Sequence, residues 1–205
     1  ENKLHILVAN QQVKNATQLF KATVDEKRRL KISANHSATH LMHSALQRVL
    51  GTHVAQKGSL VNDETLRFDF SHFGKMTEEE ITSVEQMVNA KIQEGIALIE
   101  HRNIPIQNAI DMGATALFGE KYGDFVRVIE FDREYSMELC GGTHVANTSQ
   151  IGFFKLISEG SVSAGVRRIE AITNEMALLY IGEKLTLLNQ ISEKLNNPKD
   201  ILTAI

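Results

Sequence analysis

Two short pairs of side chains, about a hundred positions apart, carry residue types that bind transition metals. His36 and His40 are four residues apart, and so are Cys140 and His144. Three imidazoles and one thiol form a nitrogen and sulfur donor set that suits Zn²⁺, with bonds of about 2.0–2.3 Å. Because Cys140 is the only cysteine of the chain, it cannot form an intrachain disulfide. The two pairs together predict a four-ligand zinc site.

The first pair needs a helix in order to converge on one ion. Side chains four residues apart on a helix lie on one face, about 5–6 Å apart at Cβ. Apolar residues recur at helical spacing over residues 36–50, with Asn35 as the predicted N-cap and Gly51 as the stop. The second pair flanks Gly141 and Gly142, which allow the backbone to turn sharply beside a ligand.

The same residues have purely structural explanations. A histidine pair on a helix can pack or meet solvent, and a lone cysteine is usually a small hydrophobe. Zinc peptidase chemistry is disfavoured, because such enzymes carry a glutamate general base directly after the first histidine. Ser37 occupies that position here.

Composition limits the class of protein. The chain has 205 residues, of which 42% are hydrophobic and 23% charged, enough for one good core or a core with a small satellite. Its net charge of -3 argues against binding nucleic acid by bulk charge, so an RNA partner would need a local basic patch. The single cysteine and the lack of a signal-like segment predict a cytoplasmic protein. The sequence contains no apolar run of about 18 residues, so no membrane span is predicted. Because the first residue is Glu1 and not Met, we expect the chain to be a piece of a longer protein.

Hydrophobic periodicity predicts a mixture of helices and strands. Strands are expected at 4–8, 19–24, 53–61, 66–70, 104–110, 125–131, 152–158 and 166–172. Helical segments are expected at 36–50, from a capping box at Thr77 through Ile99, at 114–118 and from Glu175 to Leu195. The basic cluster at 27–31 is interpreted as a turn or a strand end. Because helices and strands do not alternate strictly, the predicted fold is α+β, a mostly antiparallel sheet with helices packed on one face.

Four motifs, in order along the chain, resemble those of one known family. They are HSATHL at 36–41, THVAQKGSLV at 52–61, LCGGTHV at 139–145 and GVRRIEA at 165–171. Together they resemble the editing domain of alanyl-tRNA synthetase and the free-standing editing proteins related to it. The resemblance covers roughly residues 35–175.

The resemblance implies a division of the chain. Residues 1–34 would be the end of a truncated β-barrel module, 35–175 a zinc-containing editing (deacylase) domain, and 176–205 a linker helix. The ATP-binding domain that adenylates alanine would lie outside this chain.

The resemblance also implies an activity and its partners. The domain would hydrolyse the ester that joins serine or glycine to the 3′ end of alanine tRNA, together with the rest of the synthetase, and would bind no DNA. Its zinc ligands would be His36, His40, Cys140 and His144. A second, hydrolytic site is needed because an apolar pocket discriminates against a small difference in substrate by only about 10–200-fold.

Further residues match positions that the family associates with the pocket. Thr39 would sense the serine hydroxyl, although its hydroxyl could instead bond back to a helix carbonyl. Gln56 would line the pocket. We also expect the N–H groups of Gly141 and Gly142 to stabilise an oxyanion.

Arg167 would act in the pocket or on the tRNA end, but strand alternation does not decide whether Arg167 or Arg168 faces the site. One of them could instead pair with Glu170. Basic residues that could extend a tRNA contact are Lys57, Lys121 and Arg127. We expect His43 to pack or meet solvent, and find no convincing partner for His5, His53, His72 or His101.

Two roles of zinc and three other identities stay open. Zinc could lower the pKa of a bound water, or only organise the pocket, since four protein ligands fill a tetrahedral shell. The chain could derive from the editing domain of threonyl-tRNA synthetase, which has a similar His and Cys pattern. It could be a noncatalytic RNA-binding module that zinc stabilises, or a free-standing editing factor.

Overall fold

A long helix and a four-stranded sheet form the main body of the protein. The computed structural model describes residues 15, 17, 19–117 and 121–204. In chain order the elements are α1 Glu26–Leu50, β1 Gln56–Val61, β2 Leu66–Ser71, α2 Glu78–Gln93, β3 Ile99–Pro105, α3 Ile106–Asp111, β4 Phe125–Glu130, β5 Met137–Leu139, a 3₁₀ turn Thr148–Ile151, β6 Phe154–Ser163, β7 Val166–Thr173 and α4 Asn174–Lys194. No helix in these ranges is both long and apolar enough to cross a membrane.

The strands form two antiparallel sheets. The larger has the order β1-β2-β7-β6 and the smaller the order β3-β4-β5. Helices α1 and α2 cover one face of the larger sheet, so the predicted α+β class is confirmed. The predicted apolar face of β2 is confirmed, because Leu66, Phe68 and Phe70 are all buried in the core, and on the other face Asp69 is buried as well.

The buried face of α1 supplies much of the main core. It contributes Ala38, Leu41, Met42, Ala45 and Leu46, which pack with residues of β2, α2 and β7. A smaller core lies between the second sheet and α3. The loop 140–144 follows β5 directly, and thus comes from the second sheet to meet α1.

The helix that carries the first histidine pair starts ten residues earlier than predicted. Asp25 caps α1 by accepting a hydrogen bond of 3.0 Å from the N–H of Arg28. Asn35, the predicted cap, is buried inside the helix. Its amide donates to the carbonyl of Asn62 at 2.9 Å and accepts from the hydroxyl of Thr173 at 2.7 Å. These long-range hydrogen bonds offset the unfavourable free energy of an asparagine inside a helix.

This longer helix changes the interpretation of the N-terminal segment. The basic cluster at 27–31 lies on α1, not in a turn or at a strand end. The proposed boundary between residues 34 and 35 falls within α1, and the division into three domains stays a prediction. Residues 19–24 form no strand, and the strand predicted at 4–8 lies outside the described residues.

Three further differences have local causes. α2 ends at Gln93 instead of continuing to Ile99, because Gly95 takes a positive φ of 62° that terminates the helix. The strand predicted at 104–110 is the end of β3 followed by α3, because Pro105 lacks an N–H and favours a helix start. Residues 114–117 are not helical, since Thr115 bridges to Glu138. The capping box at Thr77 is confirmed, and the strands predicted at 152–158 and 166–172 are present as the antiparallel pair β6 and β7.

Candidate metal centre

The four predicted ligands converge at one place. One donor atom from each of His36, His40, Cys140 and His144 lies within 4.8 Å of all the others. The sulfur of Cys140 is 3.6 Å from Nε2 of His36 and 3.4 Å from Nε2 of His144. Tetrahedral bonds of about 2.3 Å to sulfur and 2.0 Å to nitrogen place these atoms about 3.5 Å apart. The donor set and its spacing therefore fit a zinc ion.

The imidazoles are held in the form that binds metals. The pKa of His40 is lowered to about 3, chiefly by burial; Glu138 opposes this shift and the neighbouring histidines add to it. Burial lowers the pKa of His144 to about 2, assisted by His36 and Arg127. The pKa of His36 is lowered by burial as well. All three rings are neutral at pH 7, and a neutral imidazole is the ligand form.

A buried carboxylate stands behind the ligand His40. Oε2 of Glu138 lies 3.7 Å from Nε2 of His40, and Oε1 lies 3.1 Å from Nδ1 of His43. Among the described residues, Nδ1 of His40 is buried and has no hydrogen-bond partner. At 3.7 Å the carboxylate is beside the ring of His40 without a hydrogen bond, and the buried nitrogen on the other side of the ring is left for a metal ion.

Glu138 was not identified from the sequence, although one signal was available. It lies on β5 between Met137 and Leu139, and all three residues are buried. A charged residue in a fully buried strand needs a partner. One partner of Glu138 is His43, which also contacts the amide of Gln47 at 3.3 Å. His43 is buried and therefore packs in the protein instead of meeting solvent.

Ser37 orients the ligand His144. Its hydroxyl accepts a hydrogen bond of 3.1 Å from the N–H of Val145 and lies 3.1 Å from Nδ1 of His144. If Nδ1 carries the ring proton, it donates to Ser37 and leaves Nε2 free to face Cys140. Ser37, whose presence in place of a glutamate disfavours peptidase chemistry, thus supports a metal ligand in this site.

Arg127 fixes the loop that carries Cys140. Its Nη1 donates to the carbonyl of Gly142 at 2.6 Å and to that of Cys140 at 3.2 Å. The same guanidinium pairs with Glu100 at 2.8 Å. Arg127 was predicted as part of a tRNA contact, but the structure assigns its donors to the loop and to Glu100.

Gly142 is required by the close approach of a ligand. A Cβ at this position would lie 2.1 Å from Cε1 of His36, whereas a Cβ at Gly141 would have no heavy atom within 4 Å. The N–H of Gly142 also donates to the sulfur of Cys140 at 3.4 Å. The oxyanion role expected for Gly142 therefore competes with this bond, and Gly141 keeps that role as a prediction.

The other predicted pocket residues lie in less decisive positions. Thr39 is buried, and its hydroxyl donates to the carbonyl of Asn35 at 2.9 Å, the structural alternative considered above. Gln56 begins β1 and is half-buried. Arg167 pairs with Glu159 at 2.5 and 2.6 Å. Their roles in the pocket stay predictions.

The two neighbouring arginines share neither face nor partner. Arg168 pairs with Asp69 at 2.7 and 2.8 Å and not with Glu170. Arg167 lies on the core side of β7 with Ile169 and Ala171, which are both fully buried. Both guanidiniums are thus committed to carboxylates.

Three of the histidines expected to lack a partner have one. His53 and His72 contact each other, with Nε2 and Nδ1 2.9 Å apart. His101 lies 2.7 Å from the carboxylate of Glu130. His5 lies outside the described residues, while Lys57 and Lys121 are exposed.

We predict that Gly142→Ala weakens zinc binding at least about tenfold, because the new methyl group displaces His36. Gly141→Ala is the matched control and should bind zinc like the native chain. Competition with a chromophoric chelator measures both dissociation constants. Native affinity in Gly142→Ala would show that His36 is not a ligand.

We also predict that Glu138→Gln weakens zinc binding by about 10–100-fold, because a neutral amide no longer supports His40. Glu130→Gln is a suitable control, since Glu130 pairs with His101 and contacts none of the four ligands. The same chelator assay applies, with circular dichroism to verify folding. Equal losses in the two variants would argue against a specific role of Glu138.

Comparison with known proteins gives a consistent result. Residues 126–170 match the family model of the second additional domain of threonyl and alanyl tRNA synthetases. The alanine–tRNA ligase of Cytophaga hutchinsonii is 60% identical over 171 residues, which are 83% of this chain and 20% of that protein. The ligase of Flavobacterium psychrophilum is 54% identical over all 205 residues, 23% of its length. That of Acetivibrio thermocellus is 56% identical over 186 residues, or 90% of this chain and 21% of that protein.

The chain thus spans about a fifth to a quarter of the length of these relatives. The matched model covers β4 to β7 and includes the Cys140 and His144 pair. The sequence motifs, the fold and these matches agree, and they support the assignment of the chain to the region of alanyl-tRNA synthetases that contains the second additional domain.

Proposed function

We propose that this region hydrolyses the ester of seryl- and glycyl-tRNA(Ala), with a zinc ion held by His36, His40, Cys140 and His144. The observation that carries the proposal is the convergence of these four donors, with neutral imidazoles at ligand spacing. Ser37 is at hydrogen-bond distance from His144, and Glu138 lies 3.7 Å from His40, where each would support a ligand ring.

Zinc at this site would supply a Lewis acid next to the substrate ester. The chain's own residues would provide orientation. Thr39 neighbours His40, and because its hydroxyl donates to Asn35, its lone pairs stay available to accept from the serine hydroxyl or the amino group. The N–H of Gly141 would donate to the developing oxyanion. Gln56 would bind the polar part of the substrate at the start of β1.

The proposed partners are the 3′ end of alanine tRNA and the remaining domains of the synthetase. The relatives are alanine–tRNA ligases, which supports alanine tRNA over threonine tRNA, although the matched family model covers both classes. A cytoplasmic location is part of the proposal, since the thiolate of Cys140 requires a reducing compartment.

A deacylation assay tests this proposal. We expect the zinc-loaded chain to hydrolyse seryl- and glycyl-tRNA(Ala) and to spare alanyl-tRNA(Ala). Cys140→Ala should be at least about 100-fold slower, because it removes a ligand. Seryl-tRNA(Thr) serves as the control substrate for the threonyl alternative.

Two outcomes would contradict the proposal. If zinc-loaded, folded chain binds the tRNA without turnover, it is a binding module. If seryl-tRNA(Thr) is the better substrate, the specificity is that of the threonyl class.

A further inference from the structure

A group of exposed aromatic rings lies at one end of the larger sheet. Phe73 is 91% exposed. The rings of His53 and His72 are nearly coplanar and meet edge to edge, with centroids 5.2 Å apart and 22° between their planes, and the ring of Phe73 is nearly parallel to that of His53, with centroids 5.9 Å apart and 24° between the planes. We call His53, His72 and Phe73 the ring platform. An exposed, nearly parallel set of rings offers a flat apolar face to a ligand.

The sheet holds the ring platform in place. The hydroxyl of Ser71 donates to the carbonyl of His53 at 2.7 Å, and the N–H of His72 donates to the carbonyl of Gly165 at 3.1 Å. The buried ring of Phe70 lies 6.3 Å from that of His72. Because the backbone and the histidine rings are held by these contacts, the protein would lose little conformational entropy when a ligand stacks on Phe73.

The segments next to the ring platform lack acidic residues. Residues 51–60, 71–77 and 160–166 contain no aspartate or glutamate, but they include Lys57 and Lys75. Asp69, which faces Gly58, is neutralised by Arg168. These segments therefore place no carboxylate of their own against a phosphate group, although Glu78 and Glu159 border them.

A line of contacts connects the ring platform with the metal centre. The amide of Gln47 donates to the carbonyl of Val54, next to His53, at 3.0 Å and contacts His43. His43 shares the carboxylate of Glu138 with the ligand His40. From His40 to Gln47, α1 rises by about 10 Å, a span of about three nucleotides at about 3.4 Å each.

We propose that Phe73, flanked by His53 and His72, stacks an unpaired base of the single-stranded 3′ end of tRNA while the ester lies at the metal centre. The inference rests on the proposed function, because it specifies how that substrate is bound. Stacking on aromatic rings is the usual way in which proteins bind unpaired bases, and it tolerates different bases.

Fluorescence tests the stacking without any need for turnover. The chain has no tryptophan, so Phe73→Trp introduces a single reporter. The probe is a single-stranded RNA that ends in CCA and carries no amino acid. A blunt RNA duplex is the control ligand. Phe125→Trp is the control variant, since Phe125 is also exposed, at 60%, and lies on the other sheet.

We expect the single-stranded RNA to quench Phe73→Trp with saturation and to leave Phe125→Trp unchanged, and the duplex to quench neither. Absence of quenching in Phe73→Trp would overturn the inference. Equal quenching of both variants, or equal quenching by the duplex, would overturn it too.

Kinetics separate this inference from the proposed function. Phe73→Ala should raise KM for seryl-tRNA(Ala) about 5- to 100-fold and leave kcat within about twofold, and Phe73→Tyr should restore KM. If the native chain deacylates and Phe73→Ala has the same KM, the stacking fails and the proposed function stands. If Phe73→Ala instead weakens only the association with other domains of the synthetase, the ring platform is a protein contact and the inference is wrong.

Discussion

The structure depends on bringing three imidazoles and one sulfur together in a largely dehydrated space. Burial keeps each ring neutral, since the pKa values of His40 and His144 lie far below the usual value for histidine. Ligand atoms whose lone pairs face one another repel, and some of them make no hydrogen bond. Nδ1 of His40, for example, is buried without a hydrogen-bond partner. A divalent cation at their centre satisfies all of them at once. The metal and this part of the fold would therefore stabilise each other.

The rest of the protein positions these donors. α1 is anchored by its apolar face in the main core, so its two histidines stand on a rigid element. The loop with Cys140 and His144 comes from the second sheet, and Arg127 binds its carbonyls. Because α1 and the loop belong to different parts of the fold, a metal ion at their junction would tie the two sheets together.

The sequence allowed the ligands to be predicted because their spacing is local. A separation of four residues puts two donors on one side of a helix, and two glycines permit the turn beside the second pair. β2 was predictable for the same reason, since its alternation reflects only its own two faces. Local patterns failed where distant residues decide. Asn35 resembles a helix cap, but its amide is satisfied by Asn62 and Thr173, and α1 continues through it.

The partners of the supporting residues could not be predicted from local sequence patterns. Ser37 contacts His144 and Glu138 contacts His43, each across about a hundred residues of chain. Gly142 was expected to act through its N–H, and only the structure shows that its missing side chain makes room for His36.

X-ray absorption at the zinc edge tests the central claim most directly, on the 205-residue chain loaded with one equivalent of zinc. The account predicts three nitrogen neighbours at about 2.0–2.1 Å and one sulfur neighbour at about 2.3 Å. The sulfur contribution should vanish in Cys140→Ala. A zinc shell of oxygen and nitrogen without sulfur in the native chain, or no stoichiometric binding, would contradict the account.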